Sequence, residues 1–162
     1  MTTSSNRGFS LSEIIIVLLM TAILSMYSIT KISSLLKKQQ QNGRLMLLRQ
    51  AILYARHYAI IHHTEVILCP SADHLNCQQA EWSQGVLIKT NHHILVSLPA
   101  LPYGHTLSLQ AFPTNKELHF TDMGFLTTDN GRFSYTVNNG TTKRLWISKS
   151  GRVRISDNEE TP

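Results

Sequence analysis

Residues 9–32 constrain this chain more than any other stretch. Positions 14–20 are uninterruptedly apolar, and Ala22, Ile23, Leu24, Met26, Tyr27 and Ile29 extend the run past Thr21. At a helical rise of about 1.5 Å per residue, the stretch covers roughly the hydrocarbon thickness of a bilayer. A helix buried in a soluble core would carry a polar face, whereas this run carries only scattered Ser and Thr. The sequence therefore predicts a membrane-anchoring helix over 9–32. Glu13 lies just inside it, and a lone carboxylate in a membrane helix costs about 3 kcal/mol unless it is paired. It needs a cation, or a place at the interface where it caps the helix N-terminus.

An ordinary secretory signal carries its small-residue cleavage site after the apolar region. Here Gly8 precedes it, so cleavage would remove a polar leader, residues 1–8, and leave the apolar helix on the mature chain. Arg7-Gly8-Phe9-Ser10-Leu11-Ser12-Glu13 followed by apolar residues resembles the class III leader of type IV pilins and pseudopilins. The resemblance implies that a prepilin peptidase cuts after Gly8 and that Phe9 is then N-methylated. It also implies that Glu13 pairs with the amino group of Phe9 on a neighbouring subunit during pilus assembly. Lys31, Lys37 and Lys38 follow the run while only Arg7 precedes it, and charge counting alone would put the C-terminal side in the cytoplasm. The leader resemblance implies the reverse: a single pass through the inner membrane, a periplasmic C-terminal domain, and an extracellular location once assembled into a pilus.

About 130 residues follow the anchor, enough for one domain with its own core. The formal charge of +5 falls by one when the leader carrying Arg7 is removed, which is compatible with an acidic partner without requiring one. Helical character continues over 33–62 as an amphipathic segment. Its weak point is Gln39-Gln40-Gln41-Asn42-Gly43, where a bend is expected. Beyond it, Leu45, Leu48, Ile52, Ala55 and Ala59 recur at spacings of three and four, a stripe that should pack against a sheet. From Glu65 onward the pattern becomes short β-branched and aromatic runs at 66–68, 85–89, 94–98, 106–112 and 118–120. Each is bounded by Pro, Gly, Asn or Asp, with Pro113-Thr114-Asn115 closing the fourth. Residues 132–137 read as a strand, Asn138-Asn139-Gly140 as a hairpin turn and 144–148 as the partner strand. A turn at Lys149-Ser150-Gly151 leads into a last strand beginning at Arg152. Alternation puts Arg152 and Arg154 on one face and Val153 and Ile155 on the other.

Further landmarks resemble the GspH/FimT family of minor pilins and pseudopilins, the FimT branch most of all. They are Ala55-Arg56, residues 66–69 with Pro70, Cys77, Trp82 with Gly85, Phe120 with Gly124, and Gly151-Arg152-Val153-Arg154. The resemblance implies an α+β fold: a long N-terminal helix packed on a small antiparallel β-sheet or sandwich occupying 63–162. Cys69 and Cys77 are the only cysteines, and a nearby pair in an exported domain suggests a disulfide stapling a short loop. A zinc site including His74 is the alternative, but it falls short of four ligands. The adjacent pairs His62-His63 and His92-His93 read as surface residues.

Between Asp129 and Asp157 the chain carries Arg132, Lys143, Arg144, Lys149, Arg152 and Arg154 and no carboxylate. Lys143, Arg144, Lys149, Arg152 and Arg154 are therefore candidate contacts to a polyanion, the two last arginines as planar forks on phosphates. The Gly-Arg-x-Arg element of the FimT branch, matched at 151–154, implies binding of double-stranded DNA during natural transformation. No recognition helix is apparent, and Trp146 is the one candidate stacking platform, so binding should be sequence-tolerant. Asp157, Glu159 and Glu160 lie just beyond and could partly neutralise the patch. Two alternatives remain open: a sheet edge guarded by positive charge, and a secretion-system pseudopilin that contacts other pilins and handles no DNA. No phosphate-cradling glycine motif, paired catalytic carboxylates or nucleophile elbow is present, so neither an enzyme nor a cofactor is expected.

Overall fold

The computed structural model describes residues 10–111, 116–137 and 142–156, without the side chains of 26–31, 33, 34 and 37. Gly8, Phe9, the turns at Pro113-Thr114-Asn115 and Asn138-Asn139-Gly140, and the carboxylates Asp157, Glu159 and Glu160 lie outside the described residues. The chain divides into two compact units, Met1–Gln41 and Asn42–Pro162.

A single helix, α1, spans Leu11–His62, with Glu13 in its first turn. It starts on the carbonyl of Ser10, which accepts from the N–H groups of Glu13 and Ile14. Within the first unit, the hydroxyls of the apolar run turn back onto the helix: Thr21 Oγ1 donates to the Leu18 carbonyl at 3.0 Å, and Ser25 Oγ to that of Thr21 at 2.7 Å. Their polarity is thus satisfied without an outside partner, which suits them to an apolar surrounding. Among the described residues no helix is long and apolar enough to cross a membrane, and the expected span of 9–32 lies partly outside them. The helix runs through Gly43 without a break, although Gly there costs about 1 kcal/mol relative to Ala.

In the second unit the expected stripe is the buried one. Leu45, Leu48, Ile52, Ala55 and Ala59 are almost wholly enclosed. The helix ends where His63 takes a left-handed φ of 46° and the Thr64 N–H reaches back to the Ala59 carbonyl, a Schellman closure.

Eight strands follow: β1 Val66–Pro70, β2 Val86–Lys89, β3 Ile94–Leu98, β4 His105–Ala111, β5 Leu118–Phe120, β6 Gly131–Val137, β7 Thr142–Ile147 and β8 Val153–Ser156. They form two antiparallel four-stranded sheets, ordered β3-β2-β1-β5 and β4-β6-β7-β8. In the second sheet the period-two pattern buries Leu107, Leu109, Phe133, Tyr135, Leu145, Ile147 and Val153. These join the helix stripe and Val66, Leu68, Val86, Ile88, Leu118 and Phe120 in one core. Trp82 packs edge-on against Phe133 at 4.9 Å. The fold is α+β.

Cys69 and Cys77 are joined by a disulfide. In the loop it closes, the Asp73 carboxylate accepts from the backbone N–H groups of Leu75 and Asn76 and from Ser71 and Gln78. Backbone donation from Asn76 first, then Leu75, holds that carboxyl well below the usual carboxylate range. The zinc alternative finds no cluster of metal ligands among the described residues. The His74 ring is instead paired with Ser97 Oγ at 3.0 Å. The histidines at 62, 63, 92 and 93 are exposed.

Candidate nucleic-acid interface

The basic C-terminal element is held in place from beneath. Between β7 and β8 the chain turns through Ser148-Lys149-Ser150-Gly151-Arg152. The Gly151 N–H meets the Ser148 carbonyl at 2.8 Å, and the Ser148 N–H meets the Arg152 carbonyl at 3.0 Å. Ser148 Oγ accepts from the Arg152 N–H, fixing the residue that begins the cationic run. Gly151 has a φ of 76°, and a Cβ there would lie 2.5 Å from Arg56 Nε and 2.6 Å from its Cδ. Arg56 occupies this space because its Nε donates to the Gly124 carbonyl at 3.1 Å. Gly124 is itself at a φ of 75°, with Ile60 where a Cβ would fall. Arg56, Gly124 and Gly151, separate landmarks in the sequence, are one packed joint between α1 and the turn that launches β8.

From this joint the cations fan out. Arg152 and Arg154 are exposed, and among the described residues neither is paired with a carboxylate. Arg154 stands opposite Trp146 on β7, which stands opposite Arg132 on β6, giving a row across the outer face of the second sheet. The Arg132 guanidinium lies 5.0 Å over the Trp146 ring and also bonds Gln110. One face of the expected stacking platform is therefore covered by a cation. Arg144 shares this outer face, opposite Ser134 and Ser156.

Lys143 points the other way, and its Nζ donates to Asn42 Oδ1 on the helix at 2.7 Å. Lys149 sits in the turn with its Nζ 3.3 Å from Asp129 Oδ1, both side chains well exposed, so this pair is weak. Of the five expected contacts, Lys143, Arg152 and Arg154 border one groove, the two arginines projecting from the face of β8 that continues the outer face carrying Arg144, and Lys149 is paired with an acid.

That groove, of about 860 Å³, lies between α1 and β8, the outermost strand of its sheet. Among the described residues it is lined by Arg49, Arg56, Lys143, Arg152 and Arg154 and by no acidic residue. Arg49 and Arg56 are not among the contacts expected from sequence, although Ala55-Arg56 is one of its landmarks. Their signal was a second line along the helix, Asn42, Met46, Arg49, Leu53 and Arg56, at alternating spacings of four and three beside the buried stripe.

The fold agrees with known proteins. The family described as Type II transport protein GspH matches residues 45–151. The chain belongs to the GspH family. The match begins at the first buried apolar residue of the helix, Leu45, and ends at Gly151, so it takes in the Arg56 joint and stops before Arg152. Two crystal structures of the type IV minor pilin FimU from Pseudomonas aeruginosa are similar. One, in space group P21, has a TM-score of 0.58 at 20% identity over 74% of this chain and 90% of its own. The other, in P65, has a TM-score of 0.52 at 21% identity over 68% and 88%. No curated protein matches the chain in sequence. The chain is thus a GspH-family protein, and the FimU structures share its fold.

Proposed function

We propose that this chain is a minor type IV pilin that binds double-stranded DNA without sequence preference, for DNA uptake in natural transformation. The observation that carries the reading is the pair Arg152 and Arg154, exposed on an outermost strand within a segment that has no carboxylate from 130 to 156. Two guanidinium forks two residues apart on a strand stand about 7 Å from each other, close to the spacing of successive phosphates on one DNA strand. Lys143 and Arg144 add charge, and Lys149 does so less because Asp129 is beside it. In this reading prepilin peptidase cuts after Gly8, Phe9 is methylated, 9–32 anchors the chain in the inner membrane, and Glu13 sets register against other major and minor pilins. The domain stands in the periplasm until assembly carries it outside.

The test is titration of the full-length chain in neutral detergent with duplexes of unrelated sequence at several salt concentrations, beside an Arg152→Gln/Arg154→Gln variant. Expected is sequence-independent, salt-sensitive binding whose log-log salt slope shrinks by about 2 in the variant. No binding, or binding that the variant retains, would remove the reading.

A second reading, a minor pseudopilin acting in pseudopilus assembly of a type II secretion system, is favoured by the name of the matching family and by the end of the match before Arg152. It predicts copurification with secretion pseudopilins and no DNA affinity.

A further inference from the structure

We propose that the groove between α1 and β8 is a phosphodiester cleft in which Arg49 on the helix and Arg152 and Arg154 on the strand hold one nucleic-acid backbone from opposite walls. The inference rests on the DNA reading and adds to it a helix-borne contact and a concave seat. Arg132 and Arg144, farther along the outer face on β6 and β7, then play the lesser part.

Arg49 carries the argument. Its Nε is buried and has no hydrogen-bond partner, and its Nη1 reaches only the Met46 sulfur at 3.8 Å. A buried donor on a charged group is costly unless something accepts from it. Every other cation lining the groove is engaged or exposed: Arg56 is bonded to Gly124, Lys143 to Asn42, and Arg152 and Arg154 face solvent. No carboxylate among the described residues lines the groove. The guanidinium to which the unmet donor belongs lines a recess that, among the described residues, carries cations and no acid, and a concave wall of low dielectric focuses such a field. An anionic backbone lying along the mouth of the groove would meet the Arg49 guanidinium on the helix side and the exposed Arg152 and Arg154 forks on the strand rim. Met46, Leu53 and Ile155 supply apolar surface against which deoxyribose can lie.

The test uses the full-length chain and one short duplex, comparing Arg49→Gln, Arg49→Lys and Met46→Glu with the wild type and the Arg152→Gln/Arg154→Gln variant, each checked by thermal melting. Arg49→Gln should weaken binding and shrink the salt slope by about 1. Arg49→Lys should recover the slope but not the full affinity, because the planar fork is lost. Met46, 43% exposed, can become Glu without disturbing the core, and a carboxylate there should cost about fivefold in affinity. If Arg49→Gln does not fold, Met46→Glu alone decides. Should both variants bind like the wild type while the double-arginine variant loses DNA, the cleft is wrong and the DNA reading stands. Should the wild type itself fail to bind, the DNA reading falls and the cleft with it.

Discussion

Arg56 donates from Nε to the carbonyl of Gly124, 3.1 Å away, and in doing so lies where any side chain on Gly151 would have to go. The helix, the turn after β5 and the turn before β8 meet at this one guanidinium. A Cβ on Gly151 would also fall 2.8 Å from the Gly124 carbonyl. Gly151→Ala therefore combines a left-handed backbone with a clash. Denaturant unfolding should show a loss of about 2–4 kcal/mol, and a loss below about 0.5 kcal/mol would mean that the joint is not rigid.

The partnership of Lys149 with Asp129 predicts a gain. Asp129→Asn removes the carboxylate beside the basic surface, and DNA affinity at low salt should rise by about twofold, since exposed pairs of this kind are worth at most about 1 kcal/mol. Filter binding or fluorescence anisotropy would detect the change, and a fall in affinity would contradict it.

His119 links β5 to the start of β1, its Nδ1 2.7 Å from Glu65 and its Nε2 3.1 Å from Glu117. Burial pushes its pKa down, the two carboxylates push it up by more, and the net direction is above the ordinary 6.5. The stability that protonated His119 contributes is thus complete below about pH 6.5 and lost as pH rises through the raised value. His119→Gln should flatten unfolding midpoints across this window. Asp73 has the opposite sign: its carboxyl is depressed, so its contribution is present above the ordinary 3.8 and lost only on further acidification. Asp73→Asn should remove that acid-side loss, and an unchanged acid limb would count against the loop network.

Reducing the Cys69–Cys77 bridge releases a loop with a sequence separation of 8. The chain-entropy account gives about 2–3 kcal/mol for a ring of this size. A Cys69→Ala/Cys77→Ala variant should melt lower by a corresponding amount while keeping DNA affinity, since neither cysteine lines the basic groove.

Much of this architecture is legible from residue periodicity. The stripe from Leu45 to Ala59 is buried as its spacing requires, and residues 94–98 and 118–120 form strands over those same bounds. Such features depend on neighbours along the chain. The approach of Arg49 to Arg154 depends instead on how a helix settles against a strand about a hundred residues later, which no local pattern encodes. Lys143 and Arg144 illustrate the same limit. Adjacent in sequence, they fall on opposite faces of β7, and only the register with β6 and β8 says which of them looks toward the helix. Lys149 was grouped with the other cations because it is near them in sequence, yet it bonds to an aspartate twenty residues earlier.

The position of β8 has a mechanical consequence. It is paired on one side only, to β7 through four residue positions, and an outermost strand can be peeled away bond by bond. In the DNA reading, a polymer pulling on Arg152 and Arg154 would load this strand first. The route for that tension out of the strand is the Gly151 turn, clamped over Arg56, and from Arg56 the pull passes directly into α1. The joint thus makes the helix, rather than the weakest edge of the sheet, the tether that bears the load.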